Sequence, residues 1–296
     1  MPHPSPLGRP ALLLGVSLLC LVSVACAPTS KTTTGSTVPV TSGVPATDEC
    51  ADPATVKPGV LTIATDSPAY DPWFTKDDPT NGKGYESAVA YAVADKLGYA
   101  KDDVKWAVVS FNQATAPGPK TFDVDINQIS INARRAKAVT FSDGYYSAAQ
   151  AIITLKDSSY AGATSLADFA DATLGVQVGT TSLDAIASAI SPSKQPQVFD
   201  DTNVAKNALQ NGQVDGIVVD LPTAFYITAV EIQNSTVVGQ FQSDSGRPEQ
   251  FGLLFEQGNP LVACANQAIA TLKSNGTLAD IETRWLSQVV DVPTLS

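Results

Sequence analysis

The chain has 296 residues, 44% of them hydrophobic, which is long enough for two compact domains or one large one. Its 18 Lys and Arg against 29 Asp and Glu leave a net charge of -11. That balance argues against nucleic acid or an anionic membrane surface as partner, since both recruit Lys and Arg. The single histidine is His3, so a chain trimmed past it has no imidazole for a Ser-His-Asp or Cys-His unit or for a His-ligated metal. Neither a metal site nor a cofactor is expected.

Residues 1–25 read as an export signal. Arg9 supplies the positive start, and "ALLLGVSLLCLVSVA" (11–25) is an apolar run shorter than the about 20 residues of a membrane span. The run ends in "VSVAC", which resembles a bacterial lipobox and implies lipidation of Cys26, although Ser23 stands where that motif prefers Leu. Ordinary cleavage near Ala25 or Ala27, releasing the protein, is the alternative. Residues 26–48, rich in Thr, Ser and Pro, cannot bury enough apolar surface to order and read as a tether of roughly 25 Å reach. Past the signal and Cys26 remain Cys50 and Cys264. Two cysteines outside the cell are expected to pair, two separately buried thiols being the alternative.

From residue 59 short apolar runs alternate with amphipathic stretches. "GVLTIATD" (59–66) predicts a strand, and "YESAVAYAVADKLG" (85–98) a helix with Val89, Val93 and Leu97 on one face. "DVKWAVVSF" (103–111), "FDVDINQISI" (122–131) and "LGVQVG" (174–179) predict strands, the last followed by a helix through Leu183, Ile186 and Ile190. "TNVAKNALQNG" (202–212) predicts a helix capped by Thr202, and "VDGIVVD" (214–220) a strand leading into a helix with Pro222 in its first turn. "QFGLLFE" (250–256) is a late strand, and helices over 260–274 and 278–288 close the chain. Such alternation indicates an α/β fold on largely parallel sheets, with ligands bound beyond the carboxyl ends of strands. The strand-end residues are Asp66, Ser130, Asn132, Arg135, Gly179 to Ser182, and Asp220.

Taken together, "TIATDSPAYDPW", "ISINARRAKAVTFSDGYYSAAQAII", "LGVQVGTTS", "VDGIVVDLPTA" and "NPLVACANQAIATLKSNGTLADIETRWL" resemble the family 3 extracellular solute-binding proteins, the amino-acid receptors of bacterial ABC importers. The resemblance covers about residues 57–290 in consistent order. It implies a periplasmic-binding-protein-like fold, two α/β lobes joined by two crossovers around a ligand cleft. Lobe 1 is placed at 57–154 plus 248–296 and lobe 2 at 155–247, with crossovers near Leu155 and Arg247. The return into lobe 1 would let Cys50 reach Cys264.

The resemblance also assigns roles. Arg135 would grip an amino acid's α-carboxylate, helped by N–H groups of a helix it opens, and Asp220 from the other lobe would accept the α-ammonium. Read from the residues alone, Arg135 makes a surface salt bridge, for instance with Asp143, and Asp220 caps a helix. Ser130 and Thr180 would add donors around the carboxylate, plain turn and cap chemistry being the alternative. Asp66, Tyr70, Trp73 and Phe111 would form the wall facing the ligand's side chain, although the aromatic residues could equally be core. Arg134 is expected to point to solvent. Asn127 and Gln128 stand where relatives often carry small Ser residues. The expected protein is a monomeric, lipid-anchored receptor outside the cytoplasmic membrane, passing an amino acid to importer membrane subunits. The alternatives are an enzyme on the same scaffold, such as a cyclohexadienyl dehydratase, and a ligand-sensing domain. For an enzyme, Glu86 reads as an ordinary helix residue, and Glu231, Glu249 and Glu256 fall outside the matched ligand blocks.

Overall fold

Burial along Leu61–Thr65 follows the pleat of a strand covered on both sides: Leu61 and Ile63 enter one core, and Ala64 another. A computed structural model describes residue 50 and residues 53–242, 248–286 and 292–296; the signal, Cys26 and the tether lie outside them. The strands are β1 (Leu61–Thr65), β2 (Val104–Val108), β3 (Val124–Asp125), β4 (Thr140–Ala148), β5 (Gln150–Leu155), β6 (Leu174–Gln177), β7 (Gln197–Phe199), β8 (Gly216–Asp220), β9 (Ser235–Phe241) and β10 (Glu249–Phe255). The helices are α1 (Tyr85–Lys96), α2 (Phe111–Thr115), α3 (Thr181–Ala185), α4 (Thr202–Gln210), α5 (Leu221–Tyr226), α6 (Leu261–Ser274) and α7 (Thr277–Leu286).

Two five-stranded sheets result, ordered β2-β1-β3-β10-β4 and β7-β6-β8-β5-β9. The strands that carry helical crossovers pair in parallel, as their alternation with helices predicts. The sheets are nevertheless mixed, because β4, β5, β9 and β10 enter antiparallel. The fold is thus two α/β lobes: the chain crosses from the first to the second after β4, returns before β10, and meets the second again with residues 292–296.

Several boundaries differ from the sequence reading. The first crossing lies at Ala149, between β4 in one sheet and β5 in the other, and not near Leu155. In "YYSAAQAIITL" no Gly or Pro marks the break, and β4, which mixes buried and exposed positions, passes directly into the largely buried β5. The second crossing lies between Phe241 and Glu249; the expected point at Arg247 is outside the described residues. Residues 292–296 pack on the second sheet and not on lobe 1: Leu295 is buried there, and its N–H meets the Gln240 carbonyl at 2.8 Å. Phe111 begins a helix instead of ending a strand, and Asp201, not Thr202, caps α4 by accepting Val204 N–H at 3.0 Å.

Gly84 sets how α1 enters lobe 1. It has φ of +96°, and a Cβ there would stand 2.4 Å from the Trp73 carbonyl oxygen. This approach lets Glu86 and Ser87 donate their N–H groups to that carbonyl at 3.0 and 3.3 Å. Trp73, Tyr85, Tyr145 and Phe251 form the aromatic centre of the core beneath.

Cys50 and Cys264 form a disulfide, with Cα atoms 5.5 Å apart and 214 residues between them in sequence. It ties the start of the folded region to α6. A loop of that length gives about 5 kcal/mol in the ideal chain-entropy treatment, and typically about 2–4 kcal/mol in practice. Cys264→Ser, or added reductant, should therefore lower the thermal midpoint by roughly 5–10 °C, read by circular dichroism against the oxidised protein.

Candidate functional site

The residues converge where the carboxyl ends of β1, β6 and β8 face each other across the lobes. They enclose a cavity of ≈ 60 Å³ lined by Asp66, Tyr70, Phe111, Arg135, Thr180 and Asp220 among others. At about 10–15 Å³ per water, that is room for a few waters, the scale of a small organic molecule.

Arg135 is 6% exposed and sits in the 3-10 turn Arg135–Lys137. The turn is too short to have a helix dipole, so the expected anion-binding helix end is absent here; Asn132 caps it, its Oδ1 accepting Arg135 N–H at 2.8 Å. The guanidinium donates from Nη1 to the Ser130 carbonyl at 2.7 Å and from Nη2 to the Gly179 carbonyl, in the other lobe, at 3.0 Å. Its Cζ lies 5.0 Å from the Phe111 ring centroid. Burial, with Arg134 adjacent, lowers its pKa to about 10, which leaves it charged at neutral pH. No ion pair with Asp143 forms; the Arg135 charge is met by carbonyls and a ring face.

Gly179 makes this contact possible. Its φ is +76°, and a Cβ would stand 2.5 Å from Asn112 Oδ1 of lobe 1. Arg134 is exposed, as expected, and makes one further contact. It crosses the lobes to Asp184, Nη2 to Oδ2 2.8 Å, with both side chains more than half exposed.

Asp220 ends β8 with its side chain half-buried and makes no cap hydrogen bond to α5. Its partner in the ladder is Gln150, and directly paired residues point to the same face. Gln150 Nε2 accordingly donates to Asp220 Oδ1 at 2.9 Å and to Glu249 Oε1 at 3.3 Å, while its Oε1 accepts from Ser182 Oγ at 2.6 Å. Burial first, then the Glu249 charge, pushes the Asp220 carboxyl up to about 8.

The other expected residues divide. Thr180 lines the cavity and caps α3, and its hydroxyl donates to the Gln177 carbonyl at 2.9 Å. Asp66 lines it too, with its oxygens accepting Ser67 N–H at 2.7 Å and Phe111 N–H at 3.0 Å. Tyr70 lines it with a buried hydroxyl that has no hydrogen-bond partner, and burial raises its pKa. Phe111 lines it while packing the core below. Ser130 and Trp73 do not line the cavity. Ser130 is 2% exposed; its hydroxyl donates to Glu249 Oε2 at 2.7 Å and lies 3.2 Å from Thr181 Oγ1. Trp73 is fully buried against Tyr85, Tyr146 and Phe251, and only its Nε1 leaves lobe 1, donating to Thr223 Oγ1 at 2.8 Å. An aromatic residue in a loop carries no sequence mark of which way it turns.

Three residues escaped the sequence reading. Gln150 and Glu249 begin the strands that follow the two crossings, a placement visible only once strands are assigned to sheets. Glu86 is no ordinary helix residue: it is fully buried, and Tyr145 Oη and the backbone and side chain of Gln128 all donate to it.

A family model described as bacterial extracellular solute-binding proteins, family 3, matches residues 61–288. The arginine-binding extracellular protein ArtP of Bacillus subtilis is 27% identical over 223 residues, covering 74% of this chain and 83% of that protein. The L-cystine-binding protein TcyA of the same organism is 28% identical over 240 residues, covering 79% and 84%. Among solved structures, the ancestral amino acid-binding protein AncCDT-1, a precursor of cyclohexadienyl dehydratase, superposes with a TM-score of 0.65 at 28% identity, covering 77% of this chain and 95% of that one.

Exposed ion pairs contribute about 0–1 kcal/mol. Arg134→Ala should therefore shift unfolding in urea by less than about 1 kcal/mol despite breaking a link between lobes. A larger loss would mean that this surface pair, and not the buried contacts, holds the lobes together.

Proposed function

The chain belongs to the bacterial extracellular solute-binding proteins, family 3, and from that premise we propose that it captures an amino acid, or a similar zwitterion, between its lobes and delivers it to an ABC importer. One observation carries the reading: Arg135 of one lobe and Asp220 of the other line the same cavity. A cation and an anion on opposite walls match the two charges that every α-amino acid presents. In this reading the guanidinium N–H groups not taken by the Ser130 and Gly179 carbonyls bind the carboxylate, and Asp220 receives the ammonium. A ligand held by both lobes favours their closed arrangement by its differential affinity for that state.

The relatives ArtP and TcyA are named for arginine and cystine, which differ in side chain and share the α-amino and α-carboxylate groups. Their similarity therefore supports the common α-group chemistry without selecting a side chain. Asp66, Tyr70, Thr180 and Phe111 would surround the rest of the ligand. The chain would work as a monomer outside the cytoplasmic membrane, held there through a lipid on Cys26. An enzyme on this scaffold would draw on Asp220 and Glu249, the carboxylates joined through Gln150. Both accept from one buried amide that orders them in place, an arrangement suited to holding a cation.

A thermal-shift screen of the domain against amino acids would find the ligand, since a hundredfold excess over Kd adds about 2.7 kcal/mol of stability. With that ligand, Arg135→Ala and Asp220→Ala should each weaken binding at least about a hundredfold in calorimetry, because each leaves a buried charge unpaired. Wild-type affinity in both variants would remove the assignment. The raised Asp220 pKa fixes a sign as well. Near pH 7 the empty carboxyl is mostly protonated, and an ammonium stabilises its ionised form. Binding at pH 7 should thus release close to one proton, and affinity should rise with pH up to about 8. Calorimetry in buffers of different ionisation enthalpy reads that release; proton uptake would contradict the ammonium pairing.

A further inference from the structure

Among the described residues that line the cavity, Gln128 is the one whose backbone has positive φ, at +46°. A side chain other than glycine in that region is strained and persists where its surroundings over-determine it. The surroundings here are Glu86. Gln128 donates its backbone N–H to Glu86 Oε1 at 2.7 Å and its side-chain amide nitrogen to Glu86 Oε2. Tyr145 Oη donates to Oε1 as well. Glu86 is itself fully buried at the start of α1, where Gly84 and the Trp73 carbonyl fix the helix entry.

This pattern leaves only one orientation for the amide. An ionised carboxylate accepts and cannot donate, so it must face the amide nitrogen and turn the amide carbonyl the other way. We propose, resting on the receptor reading above, that Glu86 is a positioning residue that makes Gln128 present its carbonyl oxygen to the ligand, selecting amino acids whose side chain ends in a hydrogen-bond donor. The cluster also contains its own reversal. A proton on Oε2, or an amide nitrogen placed there, becomes a donor toward Gln128. The Gln128 amide must then turn over and offer its nitrogen to the cavity.

Burial pushes the Glu86 carboxyl up to about 7. The charged or titratable groups facing it are Tyr85 beside it on α1, Tyr145 on β4, Asp125 on β3, and Asp220 across the cleft. Glu86 is thus ionised at pH 8 and largely protonated at pH 6.

L-Ornithine and L-norleucine test this, because they share α-groups and differ by an ammonium in place of a methyl. The readout is the ratio of their affinities, measured by calorimetry on the full domain. In the wild-type protein ornithine should be favoured at pH 8, and the ratio should fall several-fold at pH 6. Glu86→Gln puts an amide nitrogen where Oε2 stood and should cut the ratio at least tenfold at pH 8. Gln128→Met removes the carbonyl while keeping the Glu86 charge. It should cut the ratio similarly and abolish its pH dependence. Gln128 is only half-buried at the cavity wall, so this variant carries the test even if Glu86→Gln fails to fold. A ratio that survives Gln128→Met overturns the proposal, because any Glu86→Gln effect is then long-range charge alone. Failure of the wild-type protein to bind either probe overturns it too. Arg135→Ala should weaken both probes alike; undiminished affinity there would sink the receptor reading and leave the ratio result to stand or fall separately.

Discussion

A buried guanidinium governs the architecture of the cleft. Removing Arg135 from water is tolerable only if its donors find acceptors and its charge is answered nearby. The Ser130 carbonyl answers from one lobe and the Gly179 carbonyl from the other, with the Phe111 ring packed on the guanidinium face. Because two neutral carbonyls and a ring compensate it, the cation is held in place without being cancelled. That lets one side chain both join the lobes and keep a positive wall in the cavity.

The acidic side of the cleft is arranged differently. Asp220 and Glu249 belong to different sheets, yet both accept from the amide of Gln150, which also takes the Ser182 hydroxyl on its oxygen. A fully satisfied amide in a buried site is stiff, so the carboxylates have little freedom to move apart. Close like charge and low dielectric then keep Asp220 ready to exchange a proton for another cation. Glu86 is a second buried carboxylate under the same pressure, spent on holding backbone and side chain of one cavity residue.

The scaffold supports this through a small number of close approaches. Gly84 admits the Trp73 carbonyl to the start of α1, and Gly179 admits Asn112 and Arg135 to the loop before α3. The Cys50–Cys264 bridge anchors the first described residue to α6, on the lobe that carries Arg135.

What the chain alone determined were the features written in local order: strand–helix alternation, the motif around Arg135, the strand end at Asp220, and Thr180 as a cap. Each depends on residues within a few positions of one another, where period and capping chemistry are visible. Tertiary structure decided the rest. Trp73 became core and Tyr70 became wall although both stand in one aromatic loop. The crossing at Ala149 has no glycine or proline to mark it. Gln150 acquires meaning only from partners 70 and 99 residues away, Glu249 from one 99 residues away, and Glu86 from one 42 residues away. The physical reason is that the worth of a buried polar group is set by which distant donor or acceptor reaches it after the sheets close, and no local pattern encodes that meeting.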